Sequence, residues 1–429
     1  MLTFYQQLII FLALFLPFSF ALNPTPTIDL NITKIIIPFI FIVWLYSALW
    51  HKKIFLDIRP QFWLLIIFLF FSGLSLLWTN YFPGAIRKII FFLSTVPIIF
   101  PFYNAQKNKY FLPSFFKATI FSASLLASIS LIPFVAQFFI PLEQIVDFFR
   151  SFITPFFLGQ SLAELVNKYP SWLVNISGKT TLRTFGTFPD PHLFSLYLSM
   201  ILPIAFYYQQ QTKKFFYYLS VTIILAAIIT GFSRASYLSV LTGGLFLFLN
   251  SQPSRIIKKN FLKILFLFNF ILLCIIIPNS PISRFTSSFN IHEGSNQGRL
   301  AMWLVAIKSI SEHPFLGSGL SSFGNNLDTN FGLRNPIYAH NLFLDFGAET
   351  GIINMTILVL LLISPVIYHS KLKQKHSPFS KYLATSFLIF LVHSLFETPF
   401  FSVHVFPLFL MLLSIENTKS SNNDKKFFH

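Results

Sequence analysis

The stretch 338-YAHNLFLDFGAETGIINM-355 opens with His340 and Asn341, carries Asp345 and Glu349, and runs straight into apolar sequence. Residues 341–367 read as a membrane helix, because a bilayer core of about 30 Å is crossed by roughly 20 apolar residues in helical form. Lipid offers no backbone partners, so an apolar run of that length closes its own hydrogen bonds as a helix. The polar residues then stand at the mouth of a membrane helix. Asn341, Asp345 and Glu349 are spaced i, i+4, i+8 and form one stripe. Ionisable residues in such a helix are costly and face the bundle interior, which makes them functional candidates. The plainer reading is a hydrogen-bonded structural stripe, with Gly351 marking close packing.

The rest of the chain has the same character. Of its 429 residues, 54% are hydrophobic and 10% charged, 59 are Phe, and the mean hydropathy is +0.67. Soluble domains carry about a quarter charged residues. Apolar runs predict spans at about 5–22, 33–50, 61–78, 85–103, 112–138, 191–208, 214–231, 234–249, 261–278, 341–367, 381–396 and 400–416. The fold class is therefore all-α: a polytopic integral membrane protein with about twelve helices. Two long outer loops, at about 140–190 and 279–340, are expected to contain short amphipathic helices, and connections of that length are usually functional. The predicted division is 1–139, N-terminal membrane helices; 140–416, a membrane region bearing both loops; and 417–429, a polar cytoplasmic tail. The first apolar run lacks a basic leader and a good cleavage site, so it reads as a retained helix. Cys274 is the one cysteine and permits no intrachain disulfide.

A net charge of +17 raises the question of nucleic acid. The positions of the charges argue against it. The loops on the side of both termini, together with the C-terminal tail, hold 18 of the 31 basic residues, facing only Asp57, Glu416 and Asp424. The positive-inside rule then places both termini in the cytoplasm, so the basic excess is a topology signal. Lys117 lies well inside the fifth helix, whereas Arg87 and Lys88 lie near a helix start, from which they are expected to snorkel outward.

Three residues of the opposite face share a placement. Arg234 follows Ser233, a good N-cap, in 231-GFSRASYL-238. Arg299 falls in the first turn predicted for 298-GRLAMWLVAIKSISEHP-314, whose Leu300, Trp303, Leu304, Ile307 and Ile310 form an apolar face. His340 precedes Asn341, the cap of the 341–367 helix. A cation at a helix N-terminus is disfavoured unless an anion compensates, and such ends are themselves anion sites. Two arginines there suggest a phosphate-type ligand, which guanidinium grips in a bidentate fork. His340 has the near-neutral pKa that a general base needs. The plainer alternatives are lipid-headgroup contacts and a capping histidine. In 183-RTFGTFPDPHLFSLYL-198, Arg183 is a further phosphate candidate, and Asp190 with Pro191 suits a helix cap. Asp190 and His192 are too few for a persuasive metal site. His393 and Glu397 in 391-LVHSLFETPF-400 either support the same site or pair internally.

SRASYL (233–238), GRLAMW (298–303) with HPFLGSG (313–319), and AHNLFLDFGAETG (339–351) together resemble the O-antigen ligase / O-antigen polymerase superfamily, with GTFPDPHLFSLYLSM as its helix-leading motif. The resemblance covers roughly 181–400. It implies a bacterial inner-membrane, metal-independent, inverting glycosyltransferase without a cofactor. Such an enzyme moves a glycan from an undecaprenyl-diphosphate carrier to a glycan or lipid acceptor at the periplasmic face. The family's essential arginines fall on Arg234 and Arg299 and its histidine on His340, and Asn341, Asp345, Glu349, Arg183, His393 and Glu397 are expected to line the substrate. One departure is Asp190-Pro191-His192, where many members have Asn-Pro-Asn. Ligase and polymerase differ only in acceptor and share these residues. A secondary transporter is the rival from another class, but transporters show internal repeats and midplane charges. No repeat is found here, and the polar residues cluster at helix ends.

Overall fold

Run length and hydropathy decide most of the helices. The computed structural model describes residues 2–25, 28–168, 170–176, 179–250, 294–326, 338–372 and 378–416. The first half contains α1 (Phe4–Phe15), α2 (Thr33–Trp50), α3 (Pro60–Leu74), α4 (Phe82–Thr95), α5 (Ile99–Ala105) and α6 (Phe111–Ala136). The segment after it contains α7 (Leu142–Phe148), α8 (Thr154–Leu158) and α9 (Gln160–Lys168). The second half contains α10 (Pro191–Thr212), α11 (Phe215–Thr230), α12 (Arg234–Leu249), α13 (Gly294–Glu312), α14 (Leu342–Leu372), α15 (Phe379–His393) and α16 (Val405–Leu413). Cys274, the predicted span 261–278 and the tail lie outside the described residues.

Among the described residues, six apolar helical stretches are long enough to cross a bilayer: Thr33–Trp50, Pro60–Leu77, Phe82–Ala105, Phe111–Ala136, Pro191–Thr212 and Leu342–Lys371. Shorter apolar helices stand at Phe4–Phe18, Phe215–Thr230, Arg234–Leu249 and Phe379–His393. On α2, Ile37, Ile40 and Trp44 are buried while Ile42 is 62% exposed. An outward face that is as apolar as the inward one is what a lipid surround selects.

Three expectations change. The run at 5–22 ends early: Pro17 lies in a final 3-10 turn, and β1 (Ala21–Thr25) then pairs antiparallel with β2 (Ile28–Asn31). The run at 400–416 becomes α16, nine residues long and buried on every face. At 1.5 Å per residue it extends only about 14 Å, as a core helix of the bundle. The segment 140–190 holds the expected short helices but adds a hairpin, β3 (Leu173–Ile176) with β4 (Lys179–Leu182). Its small core stacks Trp172 on Phe185 at 4.9 Å, and Trp172 Nε1 donates to Pro189 O at 3.2 Å. That bond moors the hairpin beside the start of α10.

The predicted continuous helix over 341–367 is also corrected. Within α14, Gly351 has φ 81° and ψ 171°, so the helix breaks there. Ile352 N–H donates to Pro314 O at 2.8 Å, while Ser318 and Gly319 N–H donate to Ala348 O and Glu349 O at 2.9 and 2.8 Å. The HPFLGSG segment thus lies across the break and satisfies the backbone groups that it frees. A Cβ on Gly351 would stand 2.0 Å from Phe315 O. Gly351→Ala is expected to destabilise the protein by at least about 1–3 kcal/mol from backbone strain, with the clash adding to it. Thermal unfolding in detergent checks this, and an unchanged midpoint contradicts it.

Candidate active site

α15 packs against α10, α12 and α14. Its C-terminal end meets the N-terminal ends of all three, as its bonds to Ser236 and His340 described below show. Each start is capped by the residue type the sequence offers. Asp190 Oδ1 accepts from His192 and Leu193 N–H, both at 2.8 Å. Ser233 Oγ accepts from Ser236 N–H. Asn341 Oδ1 accepts from Phe343 and Leu344 N–H at 3.0 and 3.1 Å. Three helix N-termini therefore converge, and their partial positive charges add.

Glu397, just beyond α15, is the hub. Its Oε1 accepts from Arg299 Nη2 at 2.9 Å, and its Oε2 lies 3.0 Å from His340 Nδ1. His192 Nδ1 lies 4.0 Å from Oε1 and 3.0 Å from Ser233 Oγ. Ser236 Oγ continues the chain to Ser233 Oγ at 3.1 Å and to His393 Nδ1 at 3.4 Å. One carboxylate thus gathers an arginine and two histidines from three different elements. Arg234, half-buried, is the first residue of α12, directly after Ser233.

The charges shape one another. Burial opposes ionisation of Glu397, but His340, His192 and Arg299 outweigh it and hold the carboxyl well below its usual range. The protein around His340 pulls its pKa down, and the charge and hydrogen bond of Glu397 more than reverse that, so it ends raised. The His340 side chain is 43% exposed, which weakens the desolvation contribution and leaves the upward direction standing. With Nδ1 turned to Glu397, Nε2 lies on the far edge of the ring. Burial and the charge of Glu397 push Asp190 up to about 6, against two backbone bonds.

The other sequence candidates fall elsewhere. Arg183 Nε, Nη1 and Nη2 donate to the carbonyls of Gly231, Ser171 and Phe232 at 2.8, 3.0 and 3.2 Å. It caps the C-terminal end of α11, where a guanidinium suits the dipole, and so fixes the turn that leads into Ser233 and Arg234. Glu349 pairs with Lys88 Nζ at 2.8 and 2.9 Å. Lys88 is 8% exposed and does not snorkel. Asp345 bonds Ala339 N–H and Thr398 Oγ1. The stripe Asn341–Asp345–Glu349 is buried and turned to protein partners. Arg299 sits in the second turn of α13 rather than the first, because the helix already begins at Gly294. The predicted apolar face of α13 divides: Trp303 and Ile310 pack inward, while Leu300, Leu304 and Ile307 are exposed.

Sequence reading missed Lys88 and left His192 out of the site. A lysine near a helix start gives no sign of a partner on a distant helix. His192 had a usable signal, since it follows a capped Asp-Pro start on the same face as the other candidates.

Residues 219–359 match the family model described as O-antigen ligase. Over that stretch, about a third of the chain, the sequence is similar to the O-antigen ligase family. A stretch of 84 residues is 37% identical to an O-antigen polymerase of Salmonella muenchen, covering 19% of this chain and 20% of that protein. The likeness therefore spans about a fifth of that relative's length. The region matched to the O-antigen ligase family contains Arg234, Arg299 and His340, whereas His192, His393 and Glu397 lie outside it.

Proposed function

We propose that this protein is a glycosyltransferase that moves a glycan from a polyprenyl-diphosphate carrier to an acceptor hydroxyl, at the outer face of the bacterial inner membrane. The observation that carries this reading is the Glu397 hub, which joins Arg299 and His340 where three helix N-termini converge. Arg234, Arg299 and the helix ends hold the diphosphate and stabilise the charge it gains on departure. Glu397 keeps the Nδ1 proton of His340 in place, leaving the Nε2 lone pair to take the proton of the acceptor hydroxyl. The acceptor oxygen then bonds the anomeric carbon as the carbon–oxygen bond to the diphosphate breaks. The electron pair leaves with polyprenyl diphosphate, and the anomeric centre inverts. No step draws on a metal or cofactor.

The acceptor separates two readings. The match of residues 219–359 to the O-antigen ligase family model suits transfer to a lipid acceptor, as in a ligase. The likeness to an O-antigen polymerase favours transfer to a second lipid-linked glycan. The test is to incubate purified protein with fluorescent undecaprenyl-diphosphate-linked glycan, with and without a lipid acceptor. Product on the acceptor supports ligation, a ladder of longer lipid-linked glycans supports polymerisation, and neither product under either condition refutes the proposal.

The His340–Glu397 bond sets a pH dependence. His340 acts only when neutral, and Glu397 raises its pKa. Activity should therefore climb as pH rises through that raised value. Glu397→Gln removes the raising influence and leaves the lowering effects of desolvation and Arg299. The acid limb of kcat/KM is expected to move to lower pH, with a reduced plateau. An unmoved limb in a pH–rate series contradicts the assignment.

A further inference from the structure

We propose that Asp345 is a positioning residue that sets the His340–Glu397 pair by gripping the chain next to each member. The inference rests on the reading of His340 as the base. Asp345 Oδ1 accepts the backbone N–H of Ala339, the residue before His340, at 2.6 Å. Its Oδ2 accepts from Oγ1 of Thr398, the residue after Glu397. One carboxylate thereby spans the two segments that carry the pair, whose members His340 and Glu397 are 57 residues apart in sequence.

The anchor is rigid. Asp345 is 2% exposed and lies one turn inside α14, where its N–H donates to Asn341 O at 2.9 Å. Both of its oxygens are occupied by protein donors, so it acts through its neighbours rather than on substrate. The geometry it holds does not arise by default. His340 has φ 53°, a left-handed conformation that residues with a Cβ adopt infrequently, and the surrounding bonds hold it there. Ala339 is fixed from its other side as well, its carbonyl accepting from Trp303 Nε1 at 3.1 Å. Trp303 belongs to α13, which also carries Arg299. The peptide before His340 is thus held between the helix bearing the arginine and the helix bearing Asp345. Loss of the Asp345 grip frees the 338–340 turn and the 397–398 turn to drift apart. A displacement of about 1 Å in a reacting group slows a reaction by about a hundredfold.

The test uses the full chain in nanodiscs with fluorescent undecaprenyl-diphosphate-linked glycan purified from the host bacterium. Asp345→Ala is expected to lower kcat about 10²-fold with KM within about twofold. Asp345→Asn should restore most of the rate, since its carbonyl still accepts from Ala339 and its amide reaches Thr398 Oγ1, which can also accept. Thr398→Val removes one tie and keeps Asp345, so it should lower kcat about tenfold even if Asp345→Ala fails to fold. The double variant Asp345→Ala/Glu397→Gln should be no slower than the slower single variant within a few-fold, because both single changes undo the same pair. Wild-type kcat in Asp345→Ala or Thr398→Val overturns the inference, as do multiplying losses in the double variant or an Asp345→Asn no better than Asp345→Ala. His340→Asn measured alongside separates the two claims. Full transfer by that variant overturns the reading of His340 as base. An inactive His340→Asn beside a fully active Asp345→Ala overturns the positioning role and leaves that reading intact.

Discussion

Replacing His340 by asparagine is expected to slow transfer by about 10²- to 10⁴-fold, the usual contribution of a general base. Asparagine is the informative replacement because it tolerates the left-handed backbone found at this position, φ 53°. The loss then reports the missing imidazole rather than a rebuilt turn. Binding should change little, since the base acts as the acceptor is deprotonated, so kcat falls and KM stays close to its starting value. Arg299→Ala is expected to abolish transfer too, for a different reason. It removes a guanidinium proposed to hold the diphosphate and also strips Glu397 of its partner at 2.9 Å. Purified variants assayed with labelled lipid-linked glycan check both, and full transfer by either one sinks its assigned role.

The second large effect concerns stability. Glu349→Ala strands the Lys88 ammonium, 8% exposed, without its carboxylate. Breaking a buried ion pair by removing one partner costs about 3–5 kcal/mol, because the remaining charge stays out of water. The rings of Phe401 and Tyr338, 4.8 and 5.3 Å from Lys88 Nζ, offset part of that cost. Lys88→Met/Glu349→Leu replaces both charges with apolar groups of similar size and is expected to recover most of the lost stability. Unfolding of the three proteins in mixed micelles, titrated with denaturing detergent, decides the matter. A double variant no more stable than Glu349→Ala shows that lost packing, rather than a stranded charge, caused the damage.

The membrane helices were readable because a lipid surround enforces long apolar runs on both faces of a helix, and Thr33–Trp50 agrees with its predicted span at both ends. The caps were readable as well: Asp190, Ser233 and Asn341 are short acceptors placed just before apolar runs, and each serves its helix N-terminus. Pairings between helices were not readable. Lys88 and Glu349 are 261 residues apart, and their meeting depends on how α4 and α14 are rotated in the bundle. The same limit hid the part played by Glu397, whose partners come from α13, from the turn before α14 and from the start of α10. Arg183 misled because an arginine in a polar leader looks the same whether it meets phosphate or the carbonyls of a helix end. The break at Gly351 was masked by good helical sequence on both sides, and its cause, the HPFLGSG segment crossing it, lies more than thirty residues upstream.

That break has a consequence for how the chain tolerates change. In an unbroken helix, one inserted residue turns everything beyond it by about 100°. An insertion in the lower part of α14, below Gly351, would then swing Asn341, Asp345 and Glu349 away from their partners. Because the left-handed Gly351 interrupts the helix and its neighbours are stitched to the crossing segment, the two parts of α14 keep separate registers. An insertion beyond Gly351 therefore disturbs the packing of the lower part, where Leu358, Leu361 and Leu362 are buried, without turning the residues before the break. The upper part, nine residues from Leu342 to Thr350, keeps its azimuth against α15. The glycine thus separates the register of the segment that crosses the bundle from that of the segment that meets Lys88, Ala339 and Thr398.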